Sequence, residues 1–358
     1  MHRPWNSGTA IRMNEDQEDD DVELFVFLAF FSSIPRNQPT LRTRINYMHV
    51  GDDLFKTHFR FKKQDIDRLF IALDFPIELR VNERLFIDGK IALLMLLMRL
   101  SYPNRLVFIA QSFGYSISAC SQFINASLSR IMSKWGRLLQ WHNTRLTANR
   151  LTLFASRIAA KTQARPCCVA FIDGTLRPIC RPTEDQAENY SGHRKVHAIK
   201  FQGMMCPDGI FYHMAGPYPA PWHDARVLRN SGLMTHLQRN LMINNVQHFA
   251  YADGAYPLMS CLMAPFKGDH LTERQQQFNN AMGDARRSVE HGFAHVIRQF
   301  AFLDYKKNLK KGLQRVHLYY QVGTILANCF TCLYGNQIAD YFNMRPPELE
   351  EYLCLQEA

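Results

Sequence analysis

Apolar positions along this 358-residue chain change period near residue 165. Over residues 22–160 they recur at helical steps: 59–73 and 91–100 carry such spacing, and 128–141 closes the region with Ile131, Trp135, Leu138 and Leu139 on one stripe. The pattern predicts a helical N-terminal region with weak strand signals. Residues 24–34 are strongly apolar but follow an acidic run at 15–23. They fall short of the about 20 residues that cross a bilayer and lack the basic flank of a secretory signal. They therefore predict a first buried helix and no membrane segment, while residues 1–22, polar and acidic, predict a disordered tail.

Beyond a basic connector at 157–166, strands and helices mix. The run Cys168-Val169-Ala170-Phe171-Ile172 predicts a buried strand that ends in Asp173, because Gly174-Thr175 follows at once. Residues 195–202 and 210–216 predict a hairpin about Pro207-Asp208-Gly209. A helix is expected over 225–240, a second strand ending in Asp253-Gly254 over 249–252, and a helical stretch over 274–300 interrupted near Gly283 and Gly292. This order of elements predicts an α/β class with a mixed sheet. The expected organisation is a tail at 1–22, a helical domain at 23–165, a catalytic domain at 166–335 and a C-terminal tail at 336–358.

Four carboxylates stand out in the second half. Asp173 and Asp253 each close an apolar run, Asp224 lies in Trp222-His223-Asp224-Ala225, and Glu290 shares a helix face with Arg286 four residues earlier. Each has an ordinary explanation: a turn residue for the two Asp-Gly pairs, an N-cap for Asp224, a surface ion pair for Glu290. Carboxylates converging from separate elements also suit hard divalent cations, which neutralise a phosphodiester and lower the pKa of a bound water.

Charge suits a polyanionic partner without requiring one, since a basic balance of this size also fits ordinary solvation. Forty-two Lys and Arg against thirty-two Asp and Glu give +10. His193, Arg194, Lys195 and Lys200 lie close to the candidate site, and Lys306, Lys307 and Lys310 form a second cluster, expected on a helix face. The nine cysteines show no paired metal-finger spacing, and their odd count and apolar neighbours predict reduced thiols. Residues 104–124 resemble a helix-turn-helix, or else a plain helical hairpin, with Gly114 in the turn and Ser116 or Ser118 capping a second helix that buries Cys120, Phe123 and Ile124. Its exposed Ser118, Ser121 and Gln122 are weak base readers.

In order, Phe171-Ile172-Asp173-Gly174-Thr175, Tyr190-Ser191-Gly192-His193-Arg194-Lys195, Ala198-Ile199-Lys200-Phe201-Gln202, Trp222-His223-Asp224, Asp253-Gly254-Ala255-Tyr256-Pro257-Leu258 and Ser288-Val289-Glu290 resemble the transposases of the PIF/Harbinger superfamily and their domesticated relatives, over about residues 165–335. The resemblance implies an RNase H-like catalytic core with a first Asp on the first strand, a second on a later adjacent strand and a Glu on a following helix. Carried over, the first is Asp173 and the last Glu290. The middle place is open between Asp224, which matches the acidic residue after the hairpin, and Asp253, which matches the one before the Tyr; strand order favours Asp253. Asp173, Asp253 and Glu290 are thus the expected catalytic residues, and together with Asp224 the expected ligands of Mg2+ or Mn2+. Members often carry Arg or an aromatic after the Glu, where this chain has His291-Gly292-Phe293. The implied activity is two-metal endonucleolytic cleavage of DNA, with strand transfer in a true transposase. The alternative is a domesticated, non-catalytic DNA- or chromatin-associated protein. The resemblance further implies a nuclear location, reached with a separate Myb-like DNA-binding partner, and leaves a homo-oligomer open.

Overall fold

A computed structural model describes residues 47–312 and 315–354. The tail expected at 1–22 and the helix expected at 24–34 lie outside the described residues. Helices Asp52–Phe59 (α1) and Ile66–Ala72 (α2) replace the single helix expected over 59–73. Arg60 ends α1 in the left-handed conformation at φ 64°, and a 3-10 turn at Lys63–Asp65 restarts the chain. The N-terminal region is also not all helical. Strands Glu78–Asn82 (β1) and Leu85–Asp88 (β2) pair as an antiparallel hairpin, whose turn is fixed by the Asn82 side chain accepting from the Arg84 and Leu85 amides. This local Asx turn outweighs a helical period that is weak here.

Asp88 then caps helix Gly89–Ser101 (α3), accepting from the Ile91 amide at 3.0 Å, and nearly every side chain of α3 is buried. Helices Leu106–Phe113 (α4) and Ile117–Trp135 (α5) are joined through Gly114 at φ 72°, and the Ser116 hydroxyl accepts from the Ala119 amide. Cys120, Phe123 and Ile124 face inward. The stripe through Ile131 and Trp135 continues α5 instead of starting a new helix. Helix Ala148–Thr162 (α6) leads into the sheet.

That sheet is mixed. Strand Cys168–Pro178 (β3) is central, flanked on one side by Val196–Met205 (β5), antiparallel, and on the other by Phe249–Tyr251 (β9), parallel. Strand β5 pairs in turn with Tyr190–Ser191 (β4) and Phe211–Pro219 (β6), and β9 with Leu262–Met263 (β10). The expected hairpin is β5–β6, turning at Gly209 with φ 76°. A small separate hairpin, Met242–Ile243 (β7) with Val246–Gln247 (β8), precedes β9. Helices Asp224–Asn230 (α7) and Leu233–Asn240 (α8) lie between β6 and β7.

Helix Glu273–Gln299 (α9) begins at a capping box, Thr272 with Gln275, and runs unbroken through Gly283 and Gly292. Helix Val316–Tyr334 (α10) is largely buried, and the short helices Gln337–Tyr341 (α11) and Leu349–Tyr352 (α12) pack back onto the body. Asn328 of α10 knits these parts together. Its side chain accepts from the Phe211 amide at 3.1 Å and donates to the Phe211 carbonyl and the Tyr352 hydroxyl, each at 2.9 Å. Asn328→Ala leaves those buried groups unpaired, and a loss of about 2–4 kcal/mol is expected from the desolvation of unmade hydrogen bonds. Chemical denaturation should show a lower midpoint at unchanged slope; an unchanged midpoint would mean that the network adds nothing to stability.

Candidate active site

Asp173 does not end its strand: β3 continues to Pro178, and Asp173 pairs with Gly203 of β5. It sits where the sheet changes from antiparallel to parallel neighbours. In the parallel pair, Phe171 aligns with Tyr251, so two residues further on Asp173 and Asp253 come to the same level of adjacent chains. Asp253 follows the end of β9 and orders its own turn, one carboxylate oxygen accepting from the Ala255 amide at 2.9 Å.

Helix α9 brings the third carboxylate. Its close approach depends on two glycines, Gly292 on the helix and Gly203 on β5. A Cβ at Gly292 would collide with the Met205 side chain, and one at Gly203 would stand 2.8–3.0 Å from the rings of Phe211 and Phe293. Phe293 stacks on Phe211 with centroids 5.1 Å apart. The Gly292 expected to interrupt the helix instead seats it on the sheet, within the segment His291-Gly292-Phe293. Two residues earlier, Glu290 stands at the rim with half of its side chain exposed.

Arg286 connects these elements. Its guanidinium donates to Asp173 Oδ2 at 2.9 Å and pairs with Glu290 Oε1 at 2.8 Å. The i, i+4 spacing signals only the second contact; the first comes from the packing of α9 on β3. Burial raises the Asp173 carboxyl to about 6, Arg286 and the Gly174 amide hold it down, and the charges of Asp253 and Glu290 push it further up. Asp173, Asp253 and Glu290 therefore share one electrostatic neighbourhood.

Asp224 lies elsewhere. His223 is the N-cap of α7, and Asp224 is the first helical residue instead of the expected cap. Its carboxylate adjoins Gly174. Successive strand residues point to opposite faces, so it is on the other side of β3 from the Asp173 side chain. Lys200 Nζ lies 2.9 Å from Asp224 Oδ1 and donates to the Trp222 carbonyl at 2.9 Å. Lys200, expected at a DNA surface, is thus turned inward. The Tyr256 phenol, donated to by Gln202 at 3.1 Å, stands between the two groups. Burial raises its pKa well above the ordinary value, with Asp224, Asp173 and Asp253 adding to the rise and Gln202 opposing it. The place of Gly203 is not signalled by local sequence, and Tyr256 is signalled only as part of the segment that follows Asp253.

The remaining basic residues gather toward the other end of β3. His193, Arg194 and Lys195 are exposed in the turn between β4 and β5, which brings His197 beside Ile179. Lys306 and Lys307 lie in a short 3-10 turn, and Lys310 follows it in a loop, not on the expected helix face. That loop adjoins the same end, since the Cys180 amide donates to the Leu309 carbonyl. Asp173 is five residues from Pro178, a separation of about 16 Å along an extended strand.

The carboxylates offer only oxygen donors, which suits a hard cation such as Mg2+ or Mn2+. Among the described residues, no three His, Cys, Asp or Glu side chains converge closely enough to hold a metal ion as they stand. Arg286 occupies the ground between two of the donors. All nine cysteines are free, and among the described residues no helix is long and apolar enough to cross a membrane.

Residues 172–328 match the DDE superfamily endonuclease family. The matched stretch contains Asp173, Asp224, Asp253 and Glu290. The chain is also similar to Protein ALP1-like from Arabidopsis thaliana, at 22% identity over 205 residues. That similarity covers 54% of this chain and 49% of the relative, so the chain spans about half the length of the curated relative it matches. No solved structure matches the chain.

Proposed function

We propose that the protein is a Harbinger-type, transposase-like DNA endonuclease built on an RNase H-like core, with Asp173, Asp253 and Glu290 as its catalytic carboxylates. The observation that carries this reading is the parallel register of β3 and β9, which sets Asp173 beside Asp253 while α9 delivers Glu290 to the same place. The similarity to DDE superfamily endonucleases supports the endonuclease part of this reading. These three side chains are the proposed ligands of Mg2+ or Mn2+, which when bound supplies charge neutralisation at the scissile phosphate and activates the nucleophile. The protein's own part is positioning. The Gly174 and Ala255 amides each hold one oxygen of Asp173 and Asp253, orienting both carboxylates before any ligand arrives. Asp224, neutralised by Lys200, braces the start of α7 against Gly174 from the opposite face. Nuclear location, strand transfer and a separate Myb-like partner rest on the family resemblance.

Nicking of supercoiled plasmid by the purified full chain tests the proposal: cleavage should require Mg2+ or Mn2+ and stop on chelation, and no cleavage with either ion would contradict it. One observation favours a second reading, a non-catalytic DNA-associated protein: the carboxylates do not converge as they stand, and Arg286 ties two of them together. On that reading DNA binding persists in all carboxylate variants and cleavage is absent from all of them.

DNA is proposed to be held through its phosphates. The exposed side chains at the start of α5 include Ser118 and Gln122, which carry no charge, whereas Arg194, Lys195, Lys306, Lys307 and Lys310 are exposed cations, with His193 exposed beside the first two. Replacing Arg194 and Lys195 together by Ala should weaken all sequences about equally and flatten the salt slope of log affinity by about 2, near one unit per lost phosphate contact. Fluorescence anisotropy at several salt concentrations measures this. Loss of affinity for one sequence alone would instead make these residues base readers.

A further inference from the structure

We propose that Arg286 is an internal counter-ion of the carboxylate cluster, which a divalent cation must displace before the site can load; this rests on the metal-dependent reading above. The guanidinium is 19% exposed and divides its donors between carboxylates of two different elements, Asp173 on β3 and Glu290 on α9. A fork normally engages a single carboxylate bidentately. Here it spans two, so the two side chains that a cation would need are held by a charge that cannot be removed by deprotonation. Asp253 adds a third negative charge near Asp173, with which Arg286 is paired. A metal-free cluster of this kind would repel itself, and Arg286 relieves that repulsion at the cost of competing with any incoming cation.

The arrangement also explains why ligands of suitable chemistry do not converge as they stand. Glu290 is half exposed and the Arg286 side chain is long and unbranched, so release of the fork needs only side-chain rotation and no shift of α9. Gly292 and Gly203 fix the helix on the sheet independently of the ion pair.

The test is the melting temperature of the full chain against Mn2+ concentration, for wild type, Arg286→Gln and Arg286→Lys, without DNA. Without metal, Arg286→Gln should melt below wild type. Its half-saturating Mn2+ concentration should fall by about tenfold, because a unit positive charge a few ångströms from the ion has been removed. The gap between the two curves should therefore narrow as Mn2+ rises past both dissociation constants. Arg286→Lys, which keeps the charge but loses the fork, should lie between them, and if the Gln variant does not fold, a lower half-saturation for Lys carries the test. A constant offset with unchanged half-saturation would make Arg286 a plain structural tie and overturn the inference alone. Weaker Mn2+ binding in Arg286→Gln would overturn it too, showing that the arginine arranges the ligands. No Mn2+ response in any of the proteins would overturn the metal-dependent reading itself, and this inference with it.

Discussion

Asp173→Asn, Asp253→Asn and Glu290→Gln are each expected to lower metal-dependent DNA nicking by about a thousandfold or more. A carboxylate that holds a catalytic cation contributes several kcal/mol of transition-state charge stabilisation, and each ~1.4 kcal/mol is tenfold in rate. Asp224→Asn should lose far less, about tenfold. Its carboxylate is paired with Lys200 on the opposite face of β3, beside Gly174, and shares Tyr256 as a neighbour with the cluster. Circular dichroism should show all four variants folded, since none opens a core cavity. Full activity in Asp253→Asn with loss in Asp224→Asn would exchange their roles.

Removing the Asp173 charge should also stabilise the metal-free protein near neutral pH. The Asp173 carboxyl is raised from 3.8 to about 6, chiefly by burial. Between those values the folded state binds more protons than the unfolded state, so the Asp173 contribution falls as pH rises through the window and stays unfavourable above it. A rise of about two units corresponds to about 3 kcal/mol, because each unit is worth about 1.4 kcal/mol. Denaturation of wild type and Asp173→Asn should give nearly equal stabilities at pH 4 and an advantage of about 1–3 kcal/mol for the Asn variant at pH 7.5. Lower stability of the variant at neutral pH would show that the ion pair with Arg286 outweighs the cost of burying the charge. On these two expectations activity and stability pull in opposite directions at this residue, as they do where a site holds charge for function.

What the sequence made legible is local. The β5–β6 hairpin follows from its alternating apolar run and Pro207-Asp208-Gly209, the α4–α5 turn from Gly114 and Ser116, and the strand before Asp253 from its flanking glycine. The resemblance implies adjacent strands for Asp173 and Asp253, but the apolar run that ends in Asp173 is not the end of its strand: β3 runs on because β5 continues to pair with it as far as Pro178. What was not legible depends on packing between distant segments. Gly292 reads as a helix breaker until Met205 and Phe211 lie against it, and Arg286 reads as a surface partner of Glu290 until α9 meets β3. Lys200 has the composition of a DNA contact and the position of a buried counter-ion. The β1–β2 hairpin was missed because five- and four-residue strands carry too little periodicity to outweigh the helical pattern around them.

The most direct measurement is the anomalous scattering of Mn2+ in crystals of the full chain soaked or grown with the ion. A peak contacted by the carboxylates of Asp173, Asp253 and Glu290 is expected, with the Arg286 guanidinium moved off at least one of its two partners and Asp224 still paired with Lys200. A peak at Asp224, or an undisturbed Arg286 bridge with no bound ion at Mn2+ concentrations that support cleavage, would contradict that expectation.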